Sequence, residues 1–202
     1  TFFDFPGIQK GVHGTDEIYK TAFRVPTDEA LTYWVKLFDR LQVAHEGIQT
    51  LFGKQTLSFV DFDDQHYMLI SDENNEGIAS GTPWQNGPIP LEFAITGLGP
   101  VHIRIARFDY FKEMLEKVMV MREVAAEETL HLFEVGEGGN GASVIIEHNT
   151  ELAPGRQGFG TVHHAAFRVE DTAVLHEWIE RMESFGYGTS GYVDRFFFES
   201  LY

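Results

Sequence analysis

The chain has 202 residues, 43% of them hydrophobic and 18 of them phenylalanine, which is enough apolar mass for a folded core and too much for a disordered chain. Fifteen basic against 31 acidic residues leave a formal charge of −16 with no Lys/Arg cluster, so neither nucleic acid nor a membrane is an expected partner. There are no cysteines, which excludes disulfides, thiolate catalysis and cysteine-ligated zinc; with no signal peptide and no membrane-length apolar run in view, a cytoplasmic location is expected.

In chain order, "TFFDFPG" reads as the tail of an apolar strand. A strand is expected over Tyr19 to Val25, then a helix with Leu31, Trp34, Val35, Phe38 and Leu41 on one face and Thr27 as its N-cap. Three apolar stretches follow, near 48–52, at 56–62 and at 66–71. The interval 72–100 is rich in Gly, Pro and Asn and reads as an interdomain linker. Beyond it come a strand at 101–107, a helix at 109–119, and the strands "TLHLFEVG" and "ASVIIEH" joined by the hairpin turn "GEGGNG". Val162 to Val169 reads as a further strand, opened by the adjacent pair His163 and His164. A second helix stripe follows, made of Leu175, Trp178, Ile179, Met182 and Phe185 and capped by Asp171. The closing "RFFFESLY" stops inside an apolar strand, so both ends are expected to be truncated.

An internal repeat organises these elements. At an offset of 144, "TAFRV" at 21–25 meets "AAFRV" at 165–169, Trp34 meets Trp178, Gly47 meets Gly191 and Phe52 meets Phe196. Nine of the forty ungapped pairs from Tyr19/His163 to Ser58/Tyr202 are identical, enough to read both stretches as one β-α-β-β-β unit. A more divergent unit lies between them. The expected fold is α+β: repeated βαβββ modules forming curved mixed sheets, or half-open barrels, in two tandem domains. Residues 1–80 would hold the end of unit one and all of unit two, 81–97 the linker, and 98–202 unit three and most of unit four.

Repeated units, "HHxAFRV" opening the last one, and "GYVDRFFFESLY" after it together resemble the vicinal oxygen chelate superfamily, which includes glyoxalase I and extradiol dioxygenases. The segments "SDENNEG", "GTPW", "AITGLGP" and "RQGFGTVHHAAFRV" look like the bacterial subgroup that cleaves hydroquinone and catechol rings. The resemblance implies a divalent metal, Fe(2+) or alternatively Mn, Zn or Ni, held by two histidines and a carboxylate. It implies one histidine from unit one, the second from the first strand of unit four, and a Glu from the last strand of unit four, beyond Tyr202.

By strand alternation, His164 lies five positions before Val169 and so faces away from it, as the ligand of this family does. The resemblance gives the same division, with His164 as metal ligand and His163 as an acid/base. It also implies Arg195 as a stabiliser of negative charge and Tyr202 as a hydrogen-bond donor to substrate. At the 144 offset His164 becomes Lys20, so unit two lacks the ligand and a single metal site is expected, built by units one and four.

The expected function is a non-haem Fe(II) dioxygenase with a small aromatic substrate and O₂ as partners, self-association into a homo-oligomer being left open. Two alternatives stand beside it: a glyoxalase-like isomerase or thiol transferase, and a non-catalytic module that binds an aromatic ligand. His13, His45, His66, His102, His131, His148 and His176 match no ligand position and read as structural or exposed, and Arg195 could simply pair with Asp194 or Glu199.

Overall fold

The computed structural model describes residues 3–202; of the opening "TFF", Thr1 and Phe2 lie outside them and Phe3 is in irregular backbone. Unit two comprises β1 (Glu17–Val25), α1 (Asp28–Leu41), β2 (His45–Leu51), β3 (Lys54–Val60) and β4 (His66–Ser71). Unit three comprises β5 (Gly97–Ile105), α2 (Phe108–Lys117), β6 (Arg122–Glu127), β7 (Leu130–Glu134) and β8 (Ser143–His148). α3 (Thr172–Ser184) and two stubs, β9 (Val193–Asp194) and β10 (Glu199–Ser200), complete the described elements.

The repeat is visible in the backbone. Thr27 accepts a hydrogen bond from Ala30 N, and Asp171, 144 residues on, accepts one from Val174 N. Gln42 and Gly186 end the two helices in the left-handed region, at φ 58° and 81°. Gly47 and Gly191 share positive φ, as do Phe52 and Phe196. Even the hairpin register repeats: Thr50 faces Gln55 in β2–β3, and Asp194 faces Glu199 in β9–β10.

Eight strands form one sheet in the order β2-β3-β4-β1-β5-β8-β7-β6. β1 is parallel to β4 on one side and antiparallel to β5 on the other. The sheet is curled. Leu51 and Phe52 at one end pack with Leu130 and Leu132 from the other half on the same cluster, around Ala22, Met68, Ile70 and Ile145. α1 covers the opposite face through Leu31 and Phe38 against Val25, Leu57 and Leu69. α2 does the same for unit three through Leu115 against Phe133, Val144 and Ile146. Each fully buried Leu, Val or Phe contributes about 1.5–3 kcal/mol. Leu41, expected on the buried stripe, is 61% exposed at the end of α1, and Leu37 is buried instead.

The interval 81–97 and the stretch Val162 to Val169 each take a form that bears on the expected units. Because β4 and β5 flank the same strand, that interval connects two strands of one sheet rather than two separate sheets. It is also fastened. The Arg24 guanidinium, buried with Asp72 at 2.8 Å, donates to the carbonyls of Ile78 and Ala79, and Thr96 N donates to Arg24 O. The expectation of a strand over Val162 to Val169 needs correction, since that stretch forms none. β1 is a strand because β4 and β5 satisfy its edges, whereas Val162 to Val169 meets no neighbouring strand among the described residues. An apolar segment without a paired neighbour cannot form a ladder.

Candidate functional site

The chain reaches the histidine pair along a ribbon. Residues 9–15, ahead of β1, run beside 153–161, with bridges Lys10 to Phe159, Val12 to Arg156 and Thr15 to Pro154. Glycines permit this approach: a Cβ on Gly14 would lie 2.2 Å from Ala153 O, and one on Gly158 would lie 2.3 Å from Gln9 O. Beneath the ribbon is a cavity of about 280 Å³, walled by Ile18, Ile103, Ile105, Phe111 and Val162 with Arg156 at its rim. Val162 is the residue before the pair.

His163 and His164 are both exposed, and their rings meet instead of parting to opposite faces. The alternation argument fails because it needs an extended strand, which is absent here. Their Nδ1 atoms are 2.8 Å apart. Two neutral imidazoles share such a bond only if one carries its proton on Nδ1 and the other on Nε2. One ring is then left with a bare Nε2, able to bind a metal; the other presents Nε2–H, able to give a proton. The geometry splits the pair into two chemical roles without naming which ring takes which.

Aromatic and charged groups gather around the pair. Phe3 lies 5.3 and 5.9 Å from the two rings, and Phe5 stacks on His163 at 5.8 Å. The Tyr202 ring meets His164 edge-on at 6.0 Å, and the Arg195 guanidinium lies 5.4 Å from the Tyr202 ring. Tyr202 is held by two bonds to Ser190, and the Arg195 backbone N–H donates to Phe198 O. The four residues singled out in the sequence thus form one neighbourhood. Among the described residues, Arg195 makes no ion pair with Asp194 or Glu199.

The imidazole donors suit a ferrous ion, but they are not a complete set. Among the described residues no three His, Cys, Asp or Glu side chains gather where they could hold a metal. The residues present do not fit the metal on their own.

A second polar constellation lies in the sheet of units two and three, and sequence reading missed it. Tyr19 and Lys20 occupy the places of His163 and His164. Lys20 donates to Ser58, and the strand register sets His66 and His102 beside it on either side. Burial pushes the Lys20 ammonium pKa down against the pull of Glu46 and Glu147. His102 is buried with neither ring nitrogen hydrogen-bonded, Nε2 lying 3.4 Å from Glu147 Oε2; burial pushes its pKa down. Arg104 bonds Glu147 at 2.8 Å and stacks over Tyr19 at 3.7 Å. Burial would raise the Glu147 pKa, but the adjacent His102 ring and bonds from Arg104 and Asn149 outweigh it and hold it at about 2. The pairing of β1 with β5 was the signal that could have located this group.

No family model matches the chain. It is 36% identical over its whole length to a Bacillus subtilis (strain 168) protein provisionally named ring-cleaving dioxygenase MhqA, and 31% identical to one provisionally named ring-cleaving dioxygenase MhqO. It spans 65% and 62% of the lengths of these relatives. It is 24% identical to the chlorohydroquinone/hydroquinone 1,2-dioxygenase of Sphingobium indicum, covering 60% of that protein. A crystal structure of a Bacillus subtilis protein provisionally named a dioxygenase superposes with a TM-score of 0.84 at 26% identity, over 97% of this chain and 61% of that one. Glyoxalase I from Zea mays shares the fold, at a TM-score of 0.53 and 12% identity over 94% of this chain and 62% of that one. Along its whole length the chain is similar to these ring-cleaving dioxygenases, and its curled sheet of βαβββ units is the fold it shares with the Bacillus subtilis crystal structure.

Proposed function

We propose that the chain is part of a non-haem Fe(II) extradiol-type dioxygenase that opens the ring of a hydroquinone or catechol. The observation that carries this is the hydrogen-bonded pair His163–His164 with Tyr202 and Arg195 beside it. In this reading His164 supplies one metal ligand, and the remaining donors come from outside the 202 residues. A ferrous ion bound there would supply the redox chemistry with O₂.

The chain's own residues do the rest. His163, through its outward Nε2, moves a proton between the substrate hydroxyl and the reacting oxygen. The Arg195 guanidinium offsets the negative charge that develops during ring opening. Tyr202 donates to a substrate oxygen and fixes the ring's orientation. Both oxygen atoms enter the product, so no external reductant is consumed. A cytoplasmic location belongs to the same proposal. The test is anaerobic Fe(II) loading of the full-length protein, then oxygen uptake with a panel of hydroquinones and catechols. Stoichiometric consumption with ring-opened product is expected. Turnover of a thiol adduct without oxygen uptake would instead favour isomerase chemistry.

A further inference from the structure

We propose that the ribbon of residues 9–15 and 153–161 is the frame that positions His163 and His164, with Gly11 and Thr161 as its positioning residues. The proposal rests on the reading of that pair as the reacting site. Several observations converge on it.

Thr161, two residues before His163, is fixed at both ends of its side chain. Its hydroxyl accepts from Gly158 N at 3.1 Å and donates to Gly158 O at 2.9 Å. Its methyl fills the space over Gly11, where an added Cβ would lie 2.3 Å from Thr161 Cγ2. The other neighbours of that Cβ, Arg156 O and Gly158 N, stand at 3.2 Å, so the threonine methyl is the main obstacle. Gly160, at φ 82°, is pressed to the turn between β3 and β4, where its Cβ would meet Asp63 O at 2.1 Å. The same turn is tied to the other limb of the ribbon by Lys10 to Asp64 and by His13 to Asp64 O. From the ribbon, Gln157 Nε2 donates to the His163 carbonyl at 2.9 Å.

The chain before the histidines is thus clamped on three sides, by Gly158, by Gly11 and by the β3–β4 turn. The segment ahead of β1 and the β3–β4 turn of unit two together act on the site of unit four through this clamp. Neighbouring side chains that set the place of a reacting group act on rate more than on substrate affinity.

The test uses the full-length protein. Gly11→Ala should drive the new methyl into Thr161 and shift the histidines. The expected result is a fall in kcat of about ten- to a hundredfold, an unchanged KM for hydroquinone, and faster amide exchange at 162–166. Adding Thr161→Ser removes the obstructing methyl and keeps the hydroxyl, so the double variant should recover most of the rate and the protection. A folded Gly11→Ala with wild-type kcat and exchange overturns the proposal, and so does a double variant no better than the single. Should Gly11→Ala not fold, Thr161→Val decides. It keeps the shape and loses both bonds to Gly158, and an unchanged kcat with unchanged exchange then overturns the proposal. Should the full-length protein consume no oxygen with any hydroquinone or catechol, the functional reading falls. Amide exchange alone then judges the ribbon: faster exchange at 162–166 in Gly11→Ala supports it, and unchanged exchange overturns it.

Discussion

Lys20 and His164 occupy equivalent places, yet their surroundings demand different things. Lys20 sits in a half-buried polar network with Ser58, His102, Glu147 and Arg104, while His164 leans on His163, Phe3 and Tyr202. On the proposed reading, in which His164 is a direct ligand, His164→Ala in the full-length protein is expected to abolish iron binding and turnover together. His163→Ala should keep the iron and lose about 10²–10⁴ in rate, as for a general acid/base. Lys20→Ala should do neither. Iron content and oxygen uptake, measured side by side, check all three; retention of iron by His164→Ala with loss in His163→Ala would reverse the roles.

Glu147 yields a separate test. Its pKa falls from 4.5 unfolded to about 2 folded, so its stabilisation is present above pH 4.5 and lost as pH falls toward 2. Glu147→Gln should cost about 1–2 kcal/mol at pH 7, allowing for solvent screening, and the difference should close near pH 2. An equal gap at both pH values in urea unfolding would refute it.

The helices were the most legible elements, because an apolar stripe at helical spacing and a side-chain cap are both local. Thr27 and Asp171 cap as expected, but the helices they start are not equally embedded. α1 buries Ala30, Leu31, Leu37 and Phe38; α3 buries only Leu175 and rests on α2 through Arg181, which donates to the carbonyls of Val118 and Lys117. Thr27→Ala should therefore lower global stability by about 1 kcal/mol. Asp171→Ala should leave the unfolding of the eight-stranded sheet almost unchanged and speed amide exchange within 172–184. A global loss as large in Asp171→Ala as in Thr27→Ala would show that α3 belongs to the same cooperative unit.

Strands were less legible for a physical reason. "TVHHAAFRV" has the right composition, but strand formation depends on partners distant in sequence, and no local pattern records whether they are present. The histidine pair was found from its motif. Its neighbours Phe3, Phe5 and Gln157 were not, because the first two lie about 160 residues away and the third acts only through the ribbon's shape.

At the scale of the whole molecule, polar composition leaves open how units two and three are joined. Gly, Pro and Asn between 72 and 100 mark a segment that is irregular; they do not say whether the elements on either side are separate. Arg24 decides the matter by reaching out of β1 to bond Asp72, Ile78 and Ala79, while Asn140 of unit three donates to Ser71 O and Asp72. A buried guanidinium with a paired carboxylate and two carbonyls is costly to break, about 3–5 kcal/mol if one partner is removed. What stays unfastened is the middle, 82–90, where Trp84 is 69% exposed. Limited chymotrypsin digestion should therefore cut first after Trp84. The two fragments should separate on a denaturing gel and yet elute together on native size exclusion, because β1 remains paired with β5 across the nick. Arg24→Met should broaden cleavage to 72–80 and weaken the association. Fragments that part on the native column would mean that units two and three are independent domains after all, and the continuous eight-stranded sheet would have to be abandoned.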